Sequence, residues 1–171
     1  MPRLTLVLGG VRSGKSAHAE ALVLASGLRP VYLATAQALD GEMTARIAHH
    51  RERRGAEWLV VEEPLALPEA LDRAAGPERA VLVDCLTLWL TNVLVAGREP
   101  EREADRLLDV LAGLGGPAVL VSNEVGWGVV PANALARRFA DEAGRLHQRI
   151  AAVADSVVLV AAGLPLRLKG A

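Results

Sequence analysis

The pattern that most limits what this chain can fold into lies near its start. The apolar run Leu4-Thr5-Leu6-Val7-Leu8 stops at two glycines, and Gly9-Gly10-Val11-Arg12-Ser13-Gly14-Lys15-Ser16 follows at once, ahead of a helix-capable segment. Gly9-x4-Gly14-Lys15-Ser16 is a complete Walker A pattern in the strand-then-helix context that the pattern requires. Each part has a mechanical reason. Gly9 and Gly14 allow backbone shapes and close approaches that a β-carbon would block. Loop N–H groups and the positive end of the following helix suit phosphate oxygens. Lys15 brings a point charge toward the β- and γ-phosphates, and Ser16 offers a hydroxyl to Mg²⁺. Arg12 adds positive charge inside the loop, for a phosphate or for solvent.

The rest of the chain repeats the alternation. Further strand-like runs are Pro30 to Ala34, Trp58 to Val61, Ala80 to Val83, Ala118 to Val121 and Ser156 to Val160, and the tail from Gly163 to Leu168 is a candidate edge strand. Near-continuous apolar strands belong to a parallel sheet covered on both faces. Helical segments are predicted over Lys15 to Ala25, Gly41 to Arg54, Leu65 to Ala75 (with Pro68 near its start), Leu86 to Ala96, Glu99 to Leu114 and about Asn133 to Ala154. In the last, Leu135, Phe139, Leu146, Ile150 and Val153 are expected to form one buried stripe. The expected architecture is α/β: a P-loop NTPase-like (RecA-like), mostly parallel sheet with helices on both faces and right-handed crossovers. Residues 1–171 are expected to form a single catalytic domain, a length that suits one domain,.

Composition narrows the function classes. About half of the residues, 51%, are apolar, enough for a full core,. Nineteen basic against twenty acidic side chains give a formal charge of −1, which argues against a general nucleic-acid or anionic-membrane surface,. One cysteine, Cys85, excludes an internal disulfide framework and fits a reducing compartment,. No signal peptide is read at the start, and no uncharged apolar run approaches the ~18 residues of a membrane helix. The cytoplasm is the expected location.

A phosphate loop needs an acid to position Mg²⁺ or its waters. Asp84 ends the run Ala80-Val81-Leu82-Val83 and resembles a Walker B acid. The carboxyl end of a central strand is where ligands bind in open α/β sheets. The other reading of Asp84 is a helix cap. Glu124 also ends an apolar strand, in Ser122-Asn123-Glu124-Val125-Gly126, and is a second candidate acid, for catalysis or for orienting the groups that hold the metal.

The other unusual segment runs from Asp40 to Arg54. As a helix it sets Arg46, Arg53 and Arg54 on the face of His50. Neighbouring cations disfavour imidazolium and leave a neutral, nucleophilic ring. The arginines suit a polyphosphate. On these residues alone a basic helix with two histidines is more often a solvated face.

The loop from Gly9 to Ser16, Ala34-Thr35, Glu42-Met43 with Arg46-Ile47-x-x-His50, and Asn123-Glu124-Val125-Gly126 occur in this order. In combination they closely resemble the bifunctional adenosylcobinamide kinase/adenosylcobinamide-phosphate guanylyltransferases of cobalamin biosynthesis, over essentially the whole chain. The resemblance implies phosphorylation of the aminopropanol hydroxyl of adenosylcobinamide by ATP or GTP. It then implies transfer of GMP from GTP through a GMP–histidine intermediate. It makes His50 the guanylylated residue, with His49 one position away as the alternative; helical neighbours point about 100° apart, so one of the two faces the nucleotide. It also implies nucleotide contacts from Ala34, Thr35 and Ala36, from Arg51, Glu52, Arg53 and Arg54, and from Glu62 or its neighbour Glu63. Ala36 stands where the family often has serine, so a hydroxyl contact is lost there. Ser16 and Asp84 are the expected Mg²⁺ residues; the expected partners are adenosylcobinamide and its phosphate, with a homotrimeric assembly and no nucleic acid.

His18 and His147 read as surface or packing residues, Trp58 as core, Trp89 as core packing or a subunit contact ahead of a place in a corrinoid pocket, and Cys85 as a small buried hydrophobe. Trp127 is a candidate substrate contact beside the Asn123-Glu124-Val125-Gly126 motif. A structural zinc site is not expected. Two other functions compete. A different small-molecule P-loop kinase forms no covalent nucleotide. A regulatory GTPase is disfavoured, because there is no Asn-Lys-x-Asp sequence and Asp84-Cys85-Leu86-Thr87 is not an Asp-x-x-Gly switch.

Overall fold

A computed structural model describes residues 1–37 and 55–170. The predicted helix from Gly41 to Arg54, and with it Arg46, His49, His50, Arg51, Glu52, Arg53 and Arg54, lies outside the described residues.

The described elements are β1 (Leu4–Gly9), α1 (Lys15–Leu24), β2 (Arg29–Ala34), β3 (Leu59–Glu62), α2 (Leu67–Ala74), β4 (Arg79–Asp84), α3 (Leu86–Val95), α4 (Pro100–Ala112), β5 (Ala118–Asn123), α5 (Ala134–Val153), β6 (Ser156–Ala161) and β7 (Leu164–Lys169). All seven strands form one sheet in the order β3-β2-β4-β5-β1-β6-β7. β1 to β6 pair in parallel, and β7 returns antiparallel on β6. This is the expected α/β architecture, a mostly parallel sheet with helices on both faces.

Alternation along the strands explains why both faces are covered. On β4, Val81 and Val83 join the core beneath α2, α3, α4 and α5, while Ala80 and Leu82 point into a second core with Ala19 and Val23 of α1. A strand buried on both sides has no polar face, hence the continuous apolar run. The edges differ. Leu59 and Val60 of β3 are exposed, and all of β7 is exposed. Pro68 stands in the first turn of α2, where its missing N–H costs no helix bond,.

The long helix corrects one expectation. The buried stripe of α5 is Ala143, Leu146, His147 and Ile150. Phe139 is half-buried, and Leu135 and Val153 are exposed. The 3.6-residue period is right, but only the middle of the helix is covered, and that limit is set by its packing partners rather than by its own sequence. Asn133 caps the start of α5, its side-chain oxygen accepting from the N–H groups of Leu135 and Ala136,.

Candidate nucleotide site

The phosphate loop is a turn between β1 and α1. Ser13 N donates to Gly10 O at 3.2 Å, and Gly163 N, from the β6–β7 turn, donates to Ser13 O at 2.8 Å. Gly9 is required by space: a β-carbon there would stand 2.4 Å from Ser13 Oγ and 2.6 Å from Val160 O. Gly14 is required by conformation, with φ +94° as the residue before α1,. Among the described residues no side chain caps α1, so its first N–H groups are presented as an anion site,. Among the described residues Ser13 Oγ is buried without a hydrogen-bond partner. An orphaned hydroxyl in a glycine-lined turn fits a phosphate-binding loop, where anionic oxygens supply acceptors. Val11 and Arg12 are exposed at the tip, Arg12 with φ 55°.

Lys15 folds back over this turn, its Nζ donating to Gly10 O at 3.0 Å. Burial lowers its pKa below the ordinary lysine value, and the carboxylate of Asp84 opposes that shift,. The buried ammonium therefore has a nearby acid but incomplete compensation, as expected where a polyanion is to be received. Ser16 is half-buried in the first turn of α1.

Strand register collects the other residues at the same edge. Gly9 pairs with Asn123 on β5, and Asp84 on β4 pairs with Val121 of that strand. Ala34 on β2 pairs with Asp84 on one side and with Glu62 on the other. Glu62, Ala34 and Asp84 thus form one row across three strands. Asp84 is half-buried and accepts from Tyr32 Oη at 3.0 Å. It is not a helix cap: the residue before α3 is Cys85, and no side chain caps that helix.

A buried polar network supports the row. Thr35 Oγ1 donates to Cys85 O at 2.8 Å and accepts from Cys85 N at 2.9 Å. Asn92 Nδ2 donates to Thr35 O at 2.8 Å and to Pro64 O at 3.0 Å, joining the ends of β2 and β3. Asn123 Nδ2 donates to Thr87 Oγ1 at 2.9 Å. The last residue of β3, Glu62, and its neighbour Glu63 differ in setting. Glu63 Oε1 accepts from the N–H groups of Leu65 and Ala66, while Glu62 ends its strand exposed. Glu124 ties the motif after β5 to the loop, its N–H donating to Gly9 O at 3.0 Å and its Oε1 accepting from Gly126 N at 2.7 Å.

Trp58, Trp89 and Cys85 are buried as expected. Burial raises the Cys85 thiol to about 11, so it stays protonated near neutral pH,. His147 is a packing residue with a partner, its Nε2 2.7 Å from Ser122 Oγ. Sequence reasoning missed Tyr32 and Asn92. Each reaches a partner more than fifty positions away, and neither sits in a recognisable motif.

A sequence model of the family described as cobinamide kinase / cobinamide phosphate guanyltransferase matches residues 5–168. The chain belongs to that family. Membership makes it an enzyme, a cobinamide kinase and cobinamide phosphate guanylyltransferase with a nucleotide-binding P-loop fold. It is 55% identical over 168 residues to the bifunctional adenosylcobalamin biosynthesis protein CobP of Pseudomonas aeruginosa, covering 96% of each chain. It is 44% identical over 181 residues to the bifunctional adenosylcobalamin biosynthesis protein CobU of Salmonella typhimurium, covering 97% of this chain and 99% of that one. Among solved structures, that of the RadB recombinase aligns with 92% of this chain and 74% of its own at TM-score 0.49 and 16% identity.

Proposed function

We propose that the two family activities run in sequence on one catalytic domain. In the first, the aminopropanol hydroxyl of adenosylcobinamide attacks the γ-phosphorus of ATP or GTP. The γ-phosphoryl group passes to that oxygen, the hydroxyl proton is lost, and the nucleoside diphosphate leaves. In the second, the neutral imidazole of His50 attacks the α-phosphorus of GTP and pyrophosphate leaves. The resulting GMP–histidine bond is then broken by the phosphate of adenosylcobinamide phosphate, giving adenosylcobinamide-GDP and regenerating His50. Dividing the transfer into two displacements lowers the barrier of each.

The residues have distinct tasks in this reading. Gly9, Gly10, Val11, Arg12, Ser13, Gly14, Lys15 and Ser16 hold the phosphates through backbone N–H groups, hydroxyls and the ammonium. Ser16 and Asp84 would hold Mg²⁺, an assignment favoured by their hard oxygen donors and by a cation that usually keeps several waters. Bound there, the ion would supply positive charge against the departing phosphates. Ala34, Thr35, Ala36 and Glu62 contact the nucleotide, and Arg51, Glu52, Arg53 and Arg54 contribute beside His50. Glu62 is preferred to Glu63 because it ends β3 in the row with Ala34 and Asp84.

One observation carries the reading: Lys15, bent over a loop with an orphaned hydroxyl, shares the sheet edge with the row Glu62, Ala34, Asp84. The test uses GTP labelled at the α-phosphorus. Acid-labile label on a peptide containing His50, abolished by His50→Ala with kinase activity partly retained, is the expected result. Label on His49, or unchanged by His50→Ala, rejects the nucleophile. Transfer of γ-phosphate with no labelled protein leaves a kinase alone. We place the enzyme in the cytoplasm as a homotrimer, without nucleic-acid partners; light scattering checks the assembly. No helix among the described residues is long and apolar enough to cross a membrane.

A further inference from the structure

After Glu124 the chain runs twelve residues, Val125 to Ala136, without one charged side chain, in a protein where 23% of residues are charged. This segment does not use its apolar side chains for a core. Trp127 is 76% exposed, Val129 95%, Val130 76% and Leu135 60%. Scattered exposed apolar residues are ordinary, but a contiguous group with a tryptophan marks a contact surface.

The strip is anchored at both ends. Glu124 N–H is bound to Gly9 O at 3.0 Å, and Glu124 Oε1 holds Gly126 N at 2.7 Å. At the far end the Arg137 guanidinium donates to the carbonyls of Pro131 and Ala132 at 2.9 and 2.7 Å. Asn133 then starts α5. The exposed side chains therefore stand on a tethered loop that begins beside the first residue of the phosphate cradle.

Transfer chemistry says what should lie there. The acceptor oxygen must come within about 3–3.5 Å of a phosphorus held by the cradle. The acceptor of this family, cobinamide, is a flat macrocycle fringed with methyl groups and neutral amides. Its reacting arm is small beside that ring, so most of its surface must rest on protein next to the cradle. The cationic loop suits phosphate; the uncharged strip suits the ring. We propose that Trp127, Val129 and Val130 form the face on which the corrin ring of the acceptor is seated, with the indole lying against the ring. This rests on the acceptor named in the proposed function.

The test uses the full-length enzyme and cobinamide. Trp127→Ser, and separately Val129→Ser with Val130→Ser, are compared with wild type and with Trp127→Phe. All these positions are exposed, so folding is expected to survive; circular dichroism and light scattering confirm it. Removing an indole from a ring contact is expected to raise the KM for cobinamide about tenfold or more. The KM for ATP should stay within about twofold, and Trp127→Phe should restore most of the loss. Equilibrium dialysis of cobinamide reads the same loss without turnover, so it stands even if the GMP–histidine step is wrong. Labelling by GTP alone needs no corrinoid and serves as the control. Unchanged cobinamide affinity in both serine variants overturns the proposal. So does a variant that falls to a smaller assembly while its KM for ATP and for cobinamide rise together, which makes the strip a contact between copies of the chain.

Discussion

Tyr32 Oη donates to Asp84 Oδ2 at 3.0 Å, binding the candidate metal acid to a buried ring on the neighbouring strand. The same ring packs edge-on against Trp58, with centroids 6.2 Å apart and planes at 81°. Tyr32→Phe keeps that packing and removes only the hydroxyl. Its stability cost is expected to be about 1 kcal/mol, the net worth of one hydrogen bond. Its functional effect is on Asp84, which loses the group that fixes its carboxylate. A magnesium titration of phosphoryl transfer should show a higher half-saturating concentration with little change in the KM for cobinamide. An unaltered magnesium curve would separate Asp84 from the metal.

Asn92 supplies one amide to two carbonyls, Thr35 O and Pro64 O. Asn92→Leu fills the space and leaves both acceptors without it. Denaturant unfolding should register a loss of roughly 1–3 kcal/mol. Because the two joined segments carry Thr35 and Glu62, the KM for GTP should rise more than kcat falls. A loss of stability with unchanged nucleotide KM would assign Asn92 a purely structural part.

Lys15 is held protonated at a cost, since burial outweighs its attraction to Asp84. Its folded pKa is below the unfolded value of 10.5, so between the two the unfolded chain binds more protons,. Stability of the free enzyme should therefore rise with pH across that window, and Lys15→Met should flatten the rise. The same variant should lose roughly 100-fold or more in kcat and show no thermal shift with nucleotide. Wild-type nucleotide shifts in Lys15→Met would remove the lysine from the phosphate site.

His147 titrates below its ordinary value of 6.5 because it is buried, with Glu124 opposing the shift. Here too the unfolded chain takes up its proton first as pH falls. Stability is expected to drop from pH 6.5 down to the lowered folded pKa, and His147→Gln should remove that part of the slope while keeping a partner for Ser122 Oγ,. Urea unfolding from about pH 5 to about pH 8 checks it. Identical slopes in the two proteins would show that other groups carry the acid sensitivity.

Much of this molecule is written locally. The strand before Gly9, the glycines at 9 and 14 and the helix from Lys15 follow from short-range rules: a close approach, a left-handed φ and a run with no polar face. Asp84 at the end of an apolar strand was legible for the same reason, as were the limits of most helices. Distance in sequence hid the rest. That β5 lies between β1 and β4, that Ala34 stands between Asp84 and Glu62, and that Asn92 reaches across fifty-seven positions depend on which strands pair. Glu62 and Glu63 are adjacent carboxylates that read alike in sequence, and only the fold gives the Glu63 carboxylate its two backbone N–H donors. Leu135 and Val153 share the period of Leu146 and Ile150, yet only the middle pair is covered. Periodicity records which side chains share a face; whether anything packs on that face is decided by the other elements, and a strip such as Trp127 to Val130 becomes visible as exposed only when they are all in place.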